Sequence, residues 1–182
     1  MIEQLPEKTI ENFKKIKLVI FDVDGIFTKG SLYYSEKQES IKRFNVYDGL
    51  GIKNLLKSNI EVAIISSRDS EIVTTRCLNL GIKQQLIHQG CKNKRIKFEE
   101  VVSATKIAPD NIAYVGDDLP DLTVMNKVIC PISVANANEY VKSKAIYITN
   151  KKGGNGAIRE ISDLILKSQN KLDDIINYYE NL

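Results

Sequence analysis

Residue types that carry metal or redox chemistry are scarce in this sequence of 182 residues. It has one histidine and three cysteines, and the cysteines Cys77, Cys91 and Cys130 are odd in number with no C-x-x-C pair. A zinc site needs a cluster of such ligands, so we do not expect zinc, and thiols in this arrangement suit a reducing cytoplasm. No plausible base accompanies the cysteines, so we predict that they pack in the core.

Long apolar runs and a strong net charge are also missing. The apolar runs are of strand length, short of the roughly 18 residues that span a membrane, and residues 1–17 contain no apolar signal core. The formal net charge of +3 is too small and too dispersed to indicate nucleic acid binding. We therefore expect a cytoplasmic protein that binds neither membrane nor nucleic acid.

The sequence instead alternates helical and short apolar segments, which predicts an α/β fold with a doubly wound, mostly parallel sheet. The predicted strands are 17–22, 61–65, 86–88, 112–115, 128–134 and 145–148. The predicted helices are 7–15, 49–57, 70–79, 94–105, 118–126 and 158–167. Segments 32–34 and 41–44 flank a polar stretch and predict a β-hairpin, so a flap is expected at about 30–46. The hydrophobic content of 43% suffices for one core, and no linker appears, so we expect one domain over 1–182 with a tail from about 168.

The first predicted strand lies in KLVIFDVDGIFT, residues 17–28, and ends in two aspartates one residue apart. Asp22 follows an apolar run, so it should lie at the carboxyl end of a buried strand, where open α/β sheets place their chemistry. Asp22 can act as a nucleophile on phosphorus, while Asp24 can pass a proton to the leaving oxygen. Gly25 lets the backbone turn away. The alternative interpretation is a strand followed by an ordinary Asp-Gly turn.

Three polar residues farther along the chain would complete a phosphate and metal site. Ser66 follows another apolar strand, so its hydroxyl should emerge at the same edge as Asp22 and donate to a phosphoryl oxygen. Lys94 supplies a positive charge that lets an anionic nucleophile approach a dianion. Asp117 follows a third strand and could share Mg²⁺ with Asp22 and the backbone carbonyl of Asp24, because these ligands are all oxygen.

These motifs, DVDGIFT, VAIISSR, HQGCKNK and YVGDDLPD, resemble in order the four motifs of the haloacid dehalogenase superfamily of aspartate-dependent phosphohydrolases. The resemblance implies a Rossmann-like fold of the haloacid dehalogenase type. It places Asp118, ahead of Asp121, in hydrogen-bonding distance of metal-bound water, although both could instead cap the following helix. The segments between the motifs have room for a hairpin, helices and a strand, so no cap domain is expected. A capless enzyme acts on a large substrate or borrows a lid from another subunit.

Three longer segments, FNVYDGLGIK, TTRCLNLGI and KKGGNGAIREISDLIL, resemble the capless 3-deoxy-D-manno-octulosonate 8-phosphate phosphatase family. The resemblance implies a Mg²⁺-dependent homotetramer that hydrolyses this small sugar phosphate in lipopolysaccharide synthesis. It implies packed hairpins and a C-terminal tail that reaches a neighbour's site. The substrate-binding residues that it implies are Asp24, Asn45, Asp48, Gly49, Lys53, Arg68, Arg76 and Lys94.

The sequence departs from that family at three positions where arginine is usual, namely Tyr47, Lys53 and Asn155. Tyr47 and Asn155 lose the charge, and Lys53 loses the bidentate fork. The phosphatase chemistry is unaffected, but the sugar could instead be a related nonulosonate 9-phosphate. A different alternative is a noncatalytic tetramerisation module of the same fold, which would have no need to keep Asp24.

Two of the singled-out features have a simpler interpretation. Arg76 could be a solvated charge on a helix surface. The glycines of the segment 153–156 could pass a phosphate or form a turn before the last core helix.

Overall fold

A six-stranded parallel sheet forms the centre of the computed structural model, which describes residues 5–34 and 39–182. The strands, in order across the sheet, are β5 (Ile87–His88), β4 (Glu61–Ile65), β1 (Leu18–Phe21), β6 (Ile112–Val115), β7 (Cys130–Ser133) and β8 (Tyr147–Ile148). Every neighbouring pair is parallel. The chain runs outward from β1 in one direction and then outward from β6 in the other, so the strand order switches between these two strands. Sheets of this type bind ligands beyond the carboxyl ends of the strands at such a switch.

Helices cover both faces of the sheet, which explains why the central strands are continuous apolar runs. They are α1 (Glu7–Lys15), α2 (Val46–Lys57), α3 (Glu71–Leu80), α4 (Lys94–Thr105), α5 (Leu122–Met125), α6 (Glu139–Lys142), α7 (Ala157–Ser168) and α8 (Leu172–Glu180). One layer contains α1, α2, α3 and α7, with α2 packed along α7, and the other contains α4 and α5. No helix within the two described ranges is long and apolar enough to cross a membrane.

The predicted hairpin is present as a separate antiparallel pair, β2 (Tyr33–Tyr34) and β3 (Glu39–Ile41). The polar connection at 35–38 lies outside the described residues. Between β1 and β4 the described chain otherwise forms α2, and between β4 and the start of α4 it forms α3, a 3₁₀ turn and β5. The prediction of a parallel α/β fold with a hairpin insertion and no cap domain is therefore confirmed.

Local capping explains where the observed elements differ from the predicted ones. Helix α2 begins three residues earlier than predicted because the Asn45 side chain accepts a hydrogen bond from the Tyr47 amide. The predicted helix at 118–126 divides into a 3₁₀ turn (Leu119–Asp121) and α5, because Asp118 and Asp121 form a capping box around the turn. Helix α6 is absent from the predicted helices because its four residues are too few to show a helical period in the sequence.

The predicted tail beyond 168 is mostly helix α8, which packs on its own chain. Ile175 is buried, and the Tyr179 hydroxyl donates to Asn54 Oδ1 over 3.2 Å. Lys171 Nζ donates to the carbonyl of Ser58, just past the carboxyl end of α2. Since α2 begins near the carboxyl edge of the sheet and ends at the opposite edge, α8 lies away from the Asp22 of its own chain.

The packing of α8 predicts unequal effects for two adjacent isoleucines. Ile175 is 6% exposed and Ile176 is 45% exposed. Replacing Ile175 with serine should lower the free energy of unfolding by about 2 kcal/mol, because a buried apolar side chain is lost. The matched change Ile176→Ser should cost less than about 0.5 kcal/mol. Urea unfolding of both variants measures the difference, and equal costs would contradict this packing.

Candidate active site

Polar side chains from four parts of the chain meet in a pocket of about 300 Å³ at the carboxyl edge of the sheet. The register pairs Phe21 with Ile64 of β4 and with Val115 of β6, so residues just past these strands converge. The side chains of the pocket that bear on chemistry are Asp22, Asp24, Ser66, Arg68, Lys94, Asp117, Asp118 and Asp121. The structure thus brings together the residues predicted for catalysis, for phosphate binding and for metal binding.

Lys94, at the start of α4, forms a buried ion-pair network with two aspartates. Its Nζ lies 2.9 Å from Asp22 Oδ1 and 2.6 Å from Asp121 Oδ1. Burial opposes the charge of Lys94, but the two carboxylates outweigh it and raise its pKa. Lys94 therefore stays positively charged where it contacts Asp22.

Asp121 holds this network in place because each of its two carboxylate oxygens accepts two hydrogen bonds. Oδ1 accepts from Lys94 Nζ and from the Tyr114 hydroxyl at 2.7 Å, and Oδ2 accepts from the amides of Asp117 and Asp118 at 2.9 and 3.1 Å. Such a carboxylate has no oxygen to spare for a metal and instead orients its partners. The exposed Asp118, which the resemblance places beside metal-bound water, accepts from the amide of Leu119 and lines the pocket.

The aspartates of the pocket are suited to a hard cation. One oxygen each from Asp22, Asp117 and Asp121 lie within 4.8 Å of one another. Asp117 Oδ1 is buried and has no hydrogen-bond partner among the described residues. Burial and the charge of Asp121 raise the pKa of Asp22 to about 6. Burial and the charges of Asp22 and Asp121 raise the pKa of Asp117 to about 8. Because Asp121 is fully hydrogen-bonded, Asp22 and Asp117 are the carboxylates left to bind a divalent cation.

Asp24 contacts two cationic side chains outside the Lys94 network. Its Oδ1 accepts from Lys42 Nζ at 2.6 Å, and its Oδ2 lies 3.8 Å from Arg68 Nε. Arg68 also donates to the Tyr34 hydroxyl of the hairpin over 2.9 Å. Lys42 belongs to no recognisable motif, so the sequence does not predict this contact.

Ser66 is fixed by the neighbouring strand rather than by the other site residues. Its amide donates to the carbonyl of His88 at 2.9 Å, and its carbonyl accepts from the Cys91 amide at 3.0 Å. The side chain is buried at the pocket wall, and its donation to a phosphoryl oxygen remains a prediction.

The remaining residues predicted to bind substrate lie outside this pocket. Asp48 is buried and accepts from the amides of Gly156 and Arg159 at 3.1 and 3.0 Å, so it caps α7. Gly49 lies against the guanidinium of Arg76, which a Cβ would overlap. Lys53 is exposed on α2. Their roles in substrate binding remain predictions.

Asn45 lines a second cavity, of about 470 Å³, beside the start of α2. Two of the three departures from the family pattern, Tyr47 and Asn155, line the same cavity. Two of the three positions that put the sugar in doubt are therefore close to one another in space.

The glycine segment before α7 packs against the loop that carries Asp24. The amide of Gly154 donates to the carbonyl of Ile26 at 2.8 Å, and a Cβ on Gly153 would overlap the carbonyl of Gly25. This close backbone approach gives the glycines a structural role. Asp48, which caps the next helix, helps to hold the segment in place.

The raised pKa of Asp117 predicts the pH dependence of stability in the presence of a chelator. The folded protein keeps a proton on this carboxyl that the unfolded chain loses near pH 4, so stability falls as pH rises toward 8. Asp117→Asn should remove that loss and raise the free energy of unfolding at pH 8 by roughly 2 kcal/mol.

Urea unfolding at pH 5.5 and pH 8 in chelator measures this effect. The matched variant Asp118→Asn changes an exposed neighbour and should give no such gain. A gain of the same size in both variants would show that Asp117 is not the source.

The fold and the pocket together define an aspartate-dependent phosphohydrolase of the haloacid dehalogenase class. An aspartate pair ends the central strand, and a serine, a lysine and an aspartate lie at the same edge of the parallel sheet. Residues 84–161 match the family model described as haloacid dehalogenase-like hydrolase.

Known proteins of one family resemble the chain over most of its length. The Salmonella typhi 3-deoxy-D-manno-octulosonate 8-phosphate phosphatase KdsC is 47% identical over 161 residues, which are 88% of this chain and 85% of the relative. The Moraxella catarrhalis phosphatase of the same name, solved in complex with a magnesium ion, a phosphate ion and a KDO molecule, is 40% identical with a TM-score of 0.90, over 94% of this chain and 98% of that one. The cobalt-bound Haemophilus influenzae enzyme is 40% identical with a TM-score of 0.85, over 88% and 93%.

The chain belongs to the 3-deoxy-D-manno-octulosonate 8-phosphate phosphatase family. It is therefore a phosphoric monoester hydrolase, and the alternative of a noncatalytic module is not supported.

Proposed function

We propose that this enzyme hydrolyses 3-deoxy-D-manno-octulosonate 8-phosphate to the free sugar acid and inorganic phosphate, as a step of lipopolysaccharide synthesis. The observation that carries the proposal is the buried contact of Lys94 with Asp22, beside an oxygen of Asp117 that has no partner within residues 5–34 and 39–182. This arrangement provides a nucleophile, a fixed positive charge and a metal ligand within one pocket. The family membership of the chain supports the choice of sugar.

The first half of the reaction transfers the phosphoryl group to the protein. The carboxylate of Asp22 attacks phosphorus in line, and the bond from phosphorus to the sugar oxygen breaks. Asp24 gives its proton to the departing oxygen, which leaves as the sugar hydroxyl. Ser66 donates a hydrogen bond to a phosphoryl oxygen, and Lys94 offsets the charge of the phosphoryl group.

The second half releases phosphate and restores the protein. Asp24, now ionised, removes a proton from water, and the oxygen of that water attacks the phosphorus of the aspartyl-phosphate. The bond between phosphorus and Asp22 breaks, so Asp22 returns as a carboxylate and Asp24 is protonated again. The same fixed charge and hydroxyl act in both halves.

A magnesium ion fits the oxygen ligands of this pocket. The carboxylates of Asp22 and Asp117 and the backbone carbonyl of Asp24 would hold it, with Asp118 hydrogen-bonded to its water. When bound, the ion neutralises negative charge on the phosphoryl oxygens. Asp117 Oδ1 is buried and accepts no hydrogen bond from the described residues, so it is available as a ligand.

Turnover of a panel of keto-deoxy sugar phosphates with Mg²⁺ tests the substrate and the nucleophile together. The wild-type protein should turn over the 8-phosphate fastest. Asp22→Asn should abolish turnover while the protein still folds, because no phosphoryl acceptor remains. Asp24→Asn should lower the rate by roughly 10²- to 10⁴-fold, because proton transfer is lost.

Two outcomes would contradict parts of this proposal. Full turnover by folded Asp22→Asn would exclude the aspartyl-phosphate. Faster turnover of a nonulosonate 9-phosphate would show that this sugar phosphate is the substrate. That alternative is favoured by Tyr47 and Asn155, which are uncharged and line one cavity.

We further propose a homotetramer in which the hairpins pack together and supply the cover that a capless site needs. The hairpin and the segment before it expose apolar surface, at Leu32, Tyr33, Tyr34 and Ile41. The predicted approach of the tail to a neighbour's Asp22 would use α8 or residues 181–182. The hairpin is the stronger candidate for the cover, because Tyr34 already contacts Arg68 at the pocket.

A charge placed on the hairpin tests this assembly. Ile41, on the hairpin, is 59% exposed, and Ile96, on α4, is 52% exposed. Ile41→Asp should dissociate the tetramer in sedimentation velocity, because it would bury a charge in the contact. Ile96→Asp should leave the assembly intact. A monomeric wild-type protein would exclude the shared cover.

We also propose that the enzyme works in the reducing cytoplasm. Cys77, Cys91 and Cys130 are all buried as free thiols, as expected for packing residues. Burial raises the pKa of the Cys77 thiol to about 12, so this thiol is unreactive at neutral pH.

A further inference from the structure

We propose that Lys42 of the hairpin is a positioning residue, which holds the carboxylate of Asp24 for proton transfer to the leaving oxygen. This inference rests on the proposed function, in which Asp24 is the acid and base. No sequence motif points to Lys42, and it lies outside the set of residues predicted from the family resemblance.

The contact of Lys42 with Asp24 is short and shielded from water. The lysine side chain is 2% exposed, and its Nζ lies 2.6 Å from Asp24 Oδ1. Lysine is almost never buried to this degree without a charged partner, because its ammonium is strongly hydrated in water. The ion pair therefore requires the hairpin to lie directly over the loop that carries Asp24.

This contact determines which oxygen of Asp24 is available for chemistry. With Oδ1 bound to Lys42, Oδ2 lies on the side of Arg68, which lines the same pocket. A proton donor must come within hydrogen-bonding distance of the leaving oxygen, and a displacement of about 1 Å can cost up to a hundredfold in rate. Fixing the carboxylate at one oxygen keeps the other aimed at the substrate.

A purely structural tether would have a different kinetic effect. If Lys42 only attached the hairpin that covers the pocket, its loss should raise KM for the sugar phosphate and leave its kcat unchanged. If it positions the acid, its loss should slow substrates whose leaving group needs a proton. A sugar hydroxyl is such a leaving group, whereas p-nitrophenolate departs without one.

The test compares Lys42→Met, Lys42→Arg and the exposed neighbour Arg43→Met, each with Mg²⁺. The substrates are p-nitrophenyl phosphate and the sugar phosphate that the wild-type protein turns over fastest. Lys42→Met should lower kcat for the sugar phosphate by about 10- to 100-fold but alter kcat for p-nitrophenyl phosphate by less than about threefold. Lys42→Arg should recover part of the loss, and Arg43→Met should match the wild-type protein.

A double variant gives an independent test. In protein that already carries Asp24→Asn, the further change Lys42→Met should have no effect on sugar phosphate turnover, because both changes remove the same step. Equal losses on the two substrates, or additive losses in the double variant, would overturn the positioning role. A wild-type protein that hydrolyses neither substrate would refute the proposed function itself.

Discussion

The buried contact of Lys94 with Asp22 and Asp121 is the interaction on which the active site depends. It joins the end of β1, the start of α4 and the turn after β6 at one point. Breaking a buried pair is costly because it leaves a charge without a partner in a medium of low polarity. Asp121 spreads this constraint further, since it also binds the Tyr114 hydroxyl and two backbone amides. The position of the Asp22 carboxylate is therefore set by the packing of these elements through Lys94.

The pocket around this contact has more carboxylates than positive charges to balance them. One ammonium faces Asp22 and Asp121, and Asp117 lies beside them with an unpartnered oxygen. Charge repulsion and burial raise the pKa values of Asp22 and Asp117, which makes the ionised pocket unfavourable in the absence of a cation. Sites that give up stability in this way gain affinity for what neutralises them, here a divalent cation.

The residues that sequence analysis found are those whose position follows from the ends of strands. Asp22, Ser66 and Asp117 each follow an apolar run, and parallel strands bring such positions to one edge. The hydrogen bond from Tyr114 to Asp121 is not predicted, because within IAYV the tyrosine is typical of a core residue. Asp48 is placed near the sugar by resemblance, which remains a prediction, but its contact with the start of a helix 108 residues away in the chain has no signal in the sequence. Pairings of this kind depend on how separate elements pack, which periodicity does not encode.

The pattern of the sequence predicts the hairpin but does not predict its two contacts with the site. It carries Lys42 to Asp24 and Tyr34 to Arg68, while the adjacent Ile41 stays exposed. A two-stranded hairpin is only marginally stable by itself, so its position over the pocket needs contacts beyond its own strands. If neighbouring hairpins supply those contacts, as proposed, assembly would hold Lys42 against Asp24. The tetramer would then do more than cover the pocket, because it would also stabilise the geometry of proton transfer.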